Sequence, residues 1–265
     1  MSARSGGGDE TVRRVALVTG SSRGMGRATA LLLARRGYDV AVHYRREEEA
    51  ARAVAKEIES LGREAIIVAG DLSDPETPSR LVGAVGDRFG ALDVLVANAA
   101  STVFRPLMEV EARHIDLTFR TVVGSFVLLT QAAVPLMSGR DGTIVAVSGI
   151  DSLRVMENHG VLGPAKAALE TLVRYLTHEL APHDIAAVAV LPGFVDTDSA
   201  RLWADRSLPG GAEEMDRDVP PRTPAGRLAE PGEMAEIIAF LCTPAGRWLR
   251  GQELVADGGV TLHWH

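Results

Sequence analysis

Two groups of residues in this 265-residue chain have the types and spacing to do chemistry. The first is the turn Thr19-Gly20-Ser21-Ser22-Arg23-Gly24-Met25-Gly26, between an apolar run at 15–19 and a helical pattern at 28–36. Glycines there permit positive φ and let the backbone approach a pyrophosphate. The helix behind them presents free N–H groups and a positive dipole end to phosphate. A glycine pattern alone is weak, but in a strand–turn–helix setting it reads as a dinucleotide fingerprint. The second apolar run ends in His43-Tyr44-Arg45-Arg46. An acidic residue there would hydrogen-bond the ribose hydroxyls of NAD. Cations from Arg23, Arg45 and Arg46 suit the 2′-phosphate of NADP instead. The expected cofactor is NADPH/NADP+.

The second group is His159-Gly160-Val161-Leu162-Gly163-Pro164-Ala165-Lys166. If helix begins this early, His159, Leu162 and Lys166 share one face. Pro164 is tolerated only in a first turn, which leaves His159 either at the helix start or on the loop before it. An imidazole can donate to a developing oxyanion, and its ordinary pKa suits proton transfer near neutrality. The Lys166 cation favours its neutral form. A polar loop residue at a pocket rim is the plainer reading of His159. Ser148 would donate to substrate if its strand end is bulged, and would pack otherwise. Asp151 reads as a turn residue. Trp203 reads as an acyl-channel wall or a lid anchor. His178 and His183 bracket a helix end, and His263 and His265 lie in the tail. No His/Cys cluster has metal-ligand spacing, so no metal is expected.

These residues need a scaffold, and the apolar periodicity supplies one. Strands are expected at 15–19, 39–44, 64–69, 92–97, 142–148, 185–191 and 252–256. Helices fall between them, including a long stretch at 110–137 and one at 163–181. Segment 198–224, rich in Pro, Gly and charge, reads as an excursion or lid. Continuous apolar strands alternating with helices predict a single-domain, doubly wound parallel sheet of about seven strands with helices on both faces. The expected domain is 12–265, behind a polar tail at 1–11. Apolar residues make up 46% of the chain, enough for one large core. A formal net charge of −7 argues against nucleic-acid partners. No apolar run stands out as a bilayer span, so no membrane partner is expected. The lone Cys242 lies in an apolar run and reads as an inert core thiol; a reducing cytoplasm is the default.

The turn at 19–26, Asp71-Leu72, Asn98-Ala99-Ala100, Lys166, Pro192-Gly193 and Asp257-Gly258-Gly259 together resemble the short-chain dehydrogenase/reductase superfamily over about residues 12–260. By that resemblance Asp71 and Leu72 flank the adenine, and Asn98 and Ala99 pass along the ribose. Residues from Pro192 and Gly193 through Val195 to Thr197 lie by the nicotinamide carboxamide, and Lys166 holds the nicotinamide ribose. Segments 98–109 and 152–158, residues 223–227 and residues 250–252 are similar to type III enoyl-acyl-carrier-protein reductases, which reduce trans-2-enoyl thioesters with NADPH. Their tyrosine stands seven residues before the lysine, where this chain has His159; the ordinary tyrosine position is Leu162. The serine position falls at Gly149, one residue past Ser148, and 119–125 contains no asparagine.

Three readings follow. His159, Lys166 and Ser148 act in a reductase of an enoyl thioester or related small-molecule or carrier-bound acyl substrate. Alternatively the chain is a carbonyl reductase or dehydrogenase, or a catalytically silent NADP-binding or scaffold protein. The resemblance also implies a homo-oligomer, dimer or tetramer, paired through the helices at 110–137 and 163–181.

Overall fold

The computed structural model describes residues 13–262. The tail at 1–11, His263 and His265 lie outside that range. Seven parallel strands run β1 (Arg14–Val18), β2 (Tyr38–Tyr44), β3 (Ala65–Ala69), β4 (Val94–Ala97), β5 (Thr143–Val147), β6 (Ala186–Pro192) and β7 (Glu253–Ala256). They stand in the order β3-β2-β1-β4-β5-β6-β7. The chain thus winds outward from β1 in both directions and reverses between β1 and β4, where a doubly wound sheet opens its crevice.

Nine α-helices accompany the described strands: α1 (Gly24–Arg35), α2 (Glu48–Ser60), α3 (Thr77–Phe89), α4 (Ala112–Phe119), α5 (Ser125–Met137), α6 (Leu162–Glu179), α7 (Asp198–Ser207), α8 (Gly211–Arg222) and α9 (Pro231–Leu241). β1 shows how sequence places the layers. Val15 and Leu17 point into the core shared with α3, α5 and α6, while Ala16 and Val18 point into the one shared with α1, α2 and α9. Both faces are buried, so the strands read as unbroken apolar runs.

Two departures from the sequence expectation matter. The stretch expected as one helix at 110–137 contains a π turn at Arg120–Gly124. By length and composition Ala112–Met137 would also suffice to cross a bilayer, against the expectation that no segment would. Its hydrophobicity serves the core instead: Phe126, Leu129, Ala133 and Met137 pack beneath the sheet. The second departure is the 198–224 excursion. It folds as the helix pair α7–α8 around a small core of Trp203, Ala204 and Met215. Thr197 caps α7 by accepting from the Ala200 N–H at 3.2 Å. Pro220 and Pro221 fall in the last turn of α8, where the helix is ending anyway.

Candidate active site

One trough crosses the carboxyl ends of the central strands. All the residues singled out as cofactor-binding or catalytic line it. At its phosphate end, Gly20 and Gly24 have φ of 64° and 55°, values that favour glycine. Gly26 has no room for a side chain: a Cβ would lie 2.3 Å from the Gly20 carbonyl oxygen and 2.6 Å from Asn98 Nδ2. Arg23 precedes α1 without a capping side-chain bond, so no side chain at that position competes for the first-turn N–H groups. This cradle fits a pyrophosphate.

The turn is held from below by side chains. Asn98 Nδ2 donates to the Thr19 carbonyl at 2.9 Å, and its backbone N–H donates to Thr19 Oγ1, also at 2.9 Å. Ser21 Oγ donates to the Val18 carbonyl at 2.7 Å. His43 was visible in the sequence only as one letter of a basic run, yet it ties two loops together. Its Nδ1 accepts from the Gly20 N–H at 3.0 Å, and its Nε2–H donates to the Gly70 carbonyl at 3.1 Å. That pattern requires a neutral ring, and burial lowers the His43 pKa accordingly.

Tyr44, Arg45, Arg46, Asp71 and Leu72, the residues expected beside the adenosine, also line the trough. Arg45 stands 3.9 Å from Asp71 and 3.5 Å from Ser101 Oγ. Arg23 stands 3.9 Å from Asp198. These contacts are long and solvent-facing, so the guanidiniums are available to a phosphate.

At the other end Lys166 is almost wholly buried, and its Nζ donates to the Val147 carbonyl at 2.6 Å. Burial pulls its pKa down, while Asp151 and Glu170 pull it up. Ser148 donates its hydroxyl proton to the Glu170 carboxylate and also lies 3.4 Å from the Lys166 carbonyl. This hydroxyl is therefore directed at α6. Burial raises the Glu170 carboxyl above its ordinary range, against hydrogen bonds from Ser148 and Ser152.

His159 lies on the loop before α6, which begins at Leu162. The preceding Asn158 adopts a positive φ of 59°, and the Gly163 N–H donates to the His159 carbonyl at 2.9 Å. The imidazole sits between Phe104 and Trp203, with ring centroids 5.3 and 5.5 Å away. Trp203 lines the trough, and its Nε1–H ties α7 to the Glu157 carbonyl at 2.9 Å. Burial holds the His159 pKa below its ordinary value; Asp151 and the Glu157 carbonyl act against that shift, and Lys166 adds a little to it.

Sequence reasoning passed over two more residues in this wall. Asp151 does occupy a 3-10 turn, Ile150–Ser152, but it also lines the trough. Thr121 sits in the π turn with its Oγ1 buried and unpartnered. A π turn cannot be told from ordinary helix by apolar periodicity, although such turns gather at functional sites. Phe104, Met156 and Phe194 complete an apolar lining at this end. Cys242 lies elsewhere, buried in α9's core with its thiol pushed up to about 12, an inert group.

The sequence model of the enoyl-(acyl carrier protein) reductase family matches residues 20–261. The chain belongs to the short-chain dehydrogenase/reductase superfamily. It is 38% identical over 251 residues to a 1-cyclohexenylcarbonyl-CoA reductase of Streptomyces collinus, spanning 94% of this chain and 88% of that protein. An L-rhamnose 1-dehydrogenase (NAD(P)(+)) of Sphingomonas is 34% identical over 253 residues, 94% of this chain and 97% of that one. Among solved structures, a short-chain dehydrogenase of Burkholderia cenocepacia in complex with NADP superposes with a TM-score of 0.85 at 34% identity, covering 94% of this chain and 98% of that one. The protein is thus an NAD(P)-dependent oxidoreductase of this superfamily, and its cofactor is NADP(H), in keeping with the NADP complex of the Burkholderia structure. Tyr44 is the one tyrosine among the trough's described residues.

Two outcomes follow. Arg45→Ala and Arg46→Ala should each raise the Kd for NADPH about tenfold and leave that for NADH unchanged, by fluorescence titration. Equal losses for both cofactors would remove the 2′-phosphate assignment. His43 is neutral when folded, and its folded pKa lies below the unfolded value. Its contribution to stability is therefore complete above about pH 6.5 and is lost as pH falls toward the folded pKa. Urea unfolding of wild type and His43→Asn should differ most at pH 7 and converge in mild acid; a difference independent of pH would refute this role.

Proposed function

We propose that this protein reduces a trans-2-enoyl thioester, or a related acyl intermediate, with NADPH, and that His159 takes the place of the usual tyrosine. One observation carries the reading: the His159 imidazole stands at the apolar, substrate end of the same trough that holds Lys166 and the dinucleotide cradle. When bound, the cofactor supplies a hydride at its nicotinamide. The chain must then stabilise the enolate oxygen of the thioester and provide a proton. His159 can do both from one N–H. Phe104, Met156, Phe194 and Trp203 exclude water and give an acyl group an apolar wall. Lys166 orients the ribose, and the Ser148–Glu170 hydrogen bond fixes the end of β5 against α6, which carries the lysine.

Enoyl reduction suits this reduced set better than carbonyl reduction does. The hydride adds to a carbon remote from the oxygen, so less charge must be neutralised at the site of addition. The name of the Streptomyces collinus relative, a reductase of a cyclic enoyl-CoA, supports the same chemistry. A homo-oligomer, dimer or tetramer, belongs to the reading as well. Tyr175 on α6 and Trp248 beyond α9 are large apolar side chains left exposed on the single chain.

The test is NADPH oxidation by purified protein with a trans-2-enoyl thioester. His159→Ala should lower kcat roughly 10²- to 10⁴-fold with the NADPH Kd unchanged. Turnover of a ketone but not of the enoyl thioester would move the chain to the carbonyl reductases. An inert wild type alongside an active His159→Tyr would make it a silent cofactor-binding protein.

A further inference from the structure

A tyrosine is neutral in its acid form, whereas a histidine is cationic. That difference reverses what a neighbouring lysine does. An ammonium stabilises a phenolate, but it opposes an imidazolium. With Lys166 close by and the ring between Phe104 and Trp203, an acidic His159 needs an anion facing it.

The wall beside it is built around one. Asp151 follows β5 in the 3-10 turn, and two glycines make room for it. A Cβ on Gly149 would lie 2.5 Å from Asp151 Oδ1, and a Cβ on Gly163 would lie 2.5 Å from the Asp151 carbonyl oxygen. Gly149 has φ of −178°, extended backbone open to any residue, so the backbone itself does not call for glycine there. Asp151 Oδ2 and His159 Nδ1 are both buried, both without a protein partner, and both residues line the same trough. A buried acceptor and a buried ring nitrogen left open in one wall are unusual enough to require a reason.

We propose that Asp151 is the positioning residue of this site: its carboxylate, through a bridging water, supports His159 in the proton-donating imidazolium form. The inference rests on the enoyl-reductase reading for its chemistry, though not for its test. A hydride supplied by the nicotinamide would add to the β-carbon, the C=C π pair would form the new bond between the α-carbon and the carbonyl carbon, and the C=O π pair would move to the oxygen. The imidazolium N–H bond then breaks, its proton passes to that oxygen, and the resulting enol tautomerises to the saturated thioester. His159 is left neutral, Asp151 remains a carboxylate throughout, and solvent restores the proton. The ionisable side chains facing His159 are Asp151, from the turn after β5, and Lys166, from α6; the Glu157 carbonyl comes from its own loop. Lys166 also faces Asp151 and, less strongly, Glu170, which accepts the Ser148 proton, so Asp151 serves the lysine and the imidazole together.

The experiment is an NMR pH titration of the full chain with ¹³Cε1-labelled histidine, without substrate, the His159 signal being assigned by its loss in His159→Asn. In Asp151→Asn the His159 midpoint should fall by roughly one pH unit, with the other histidines unmoved. Gly149→Ala, which drives a methyl into the carboxylate, should shift it the same way and gives the answer if Asp151→Asn does not fold. NADPH affinity like that of wild type certifies the fold. An unchanged midpoint in a folded variant overturns the proposal. A shifted midpoint in a protein without enoyl turnover would leave the pair standing and remove only the enoyl-reductase reading.

Discussion

Lys166 brings an ammonium to the junction of β5 and α6, where water reaches almost none of it. Taking such an ion out of water costs several kcal/mol unless polar groups replace the lost hydration. The Val147 carbonyl is the nearest replacement, and it is free because β5 ends at that residue. Glu170, one turn along α6, and Asp151, in the turn after β5, supply the countercharge. Ser148 joins the two elements by donating to Glu170. The end of β5 and the start of α6 are thereby fixed against each other. The His159 loop, which leads directly into α6, inherits that position.

The two ends of the trough solve different problems. The cofactor end must bring backbone close to phosphate, and it does so with glycines locked from beneath by Ser21, His43 and Asn98. Rigid neutral hydrogen bonds suffice there, because the ligand brings the charge. The substrate end must move a proton, which needs groups whose charge can change. His159, Asp151, Lys166 and Glu170 gather there, against the apolar side chains of Phe104, Met156 and Trp203. On the proposed reading an imidazole replaces a phenol, which alters the sign of the required field, and Asp151 is the carboxylate this wall offers in response.

Most of the scaffold was legible in the sequence. Strands buried on both faces leave unbroken apolar runs, and the turn from Thr19 to Gly26 announces its own geometry. The residues expected to hold the cofactor come from local motifs, and they meet in one trough. The remainder depended on contacts far apart in sequence. His43 acts through Gly20 and Gly70, neither of them its neighbour. Asp151 looks like an ordinary turn residue until Gly149 and Gly163 are seen to make room for it. Thr121 sits in a π turn whose apolar period matches that of the helices around it. Pro, Gly and charge dominate 198–224 and leave no clear apolar period there, yet Trp203 and Met215 give two short helices something to bury.

The central claim is that the His159 imidazole meets the substrate oxygen. A crystal structure of the ternary complex with NADP+ and an unreactive acyl thioester tests it most directly. The account predicts the thioester carbonyl oxygen within hydrogen-bond reach of the His159 ring, about 2.6–3.2 Å, and the β-carbon over the nicotinamide. A carbonyl turned toward Lys166, Ser148 or backbone N–H groups, with His159 facing only Phe104 and Trp203, would contradict it.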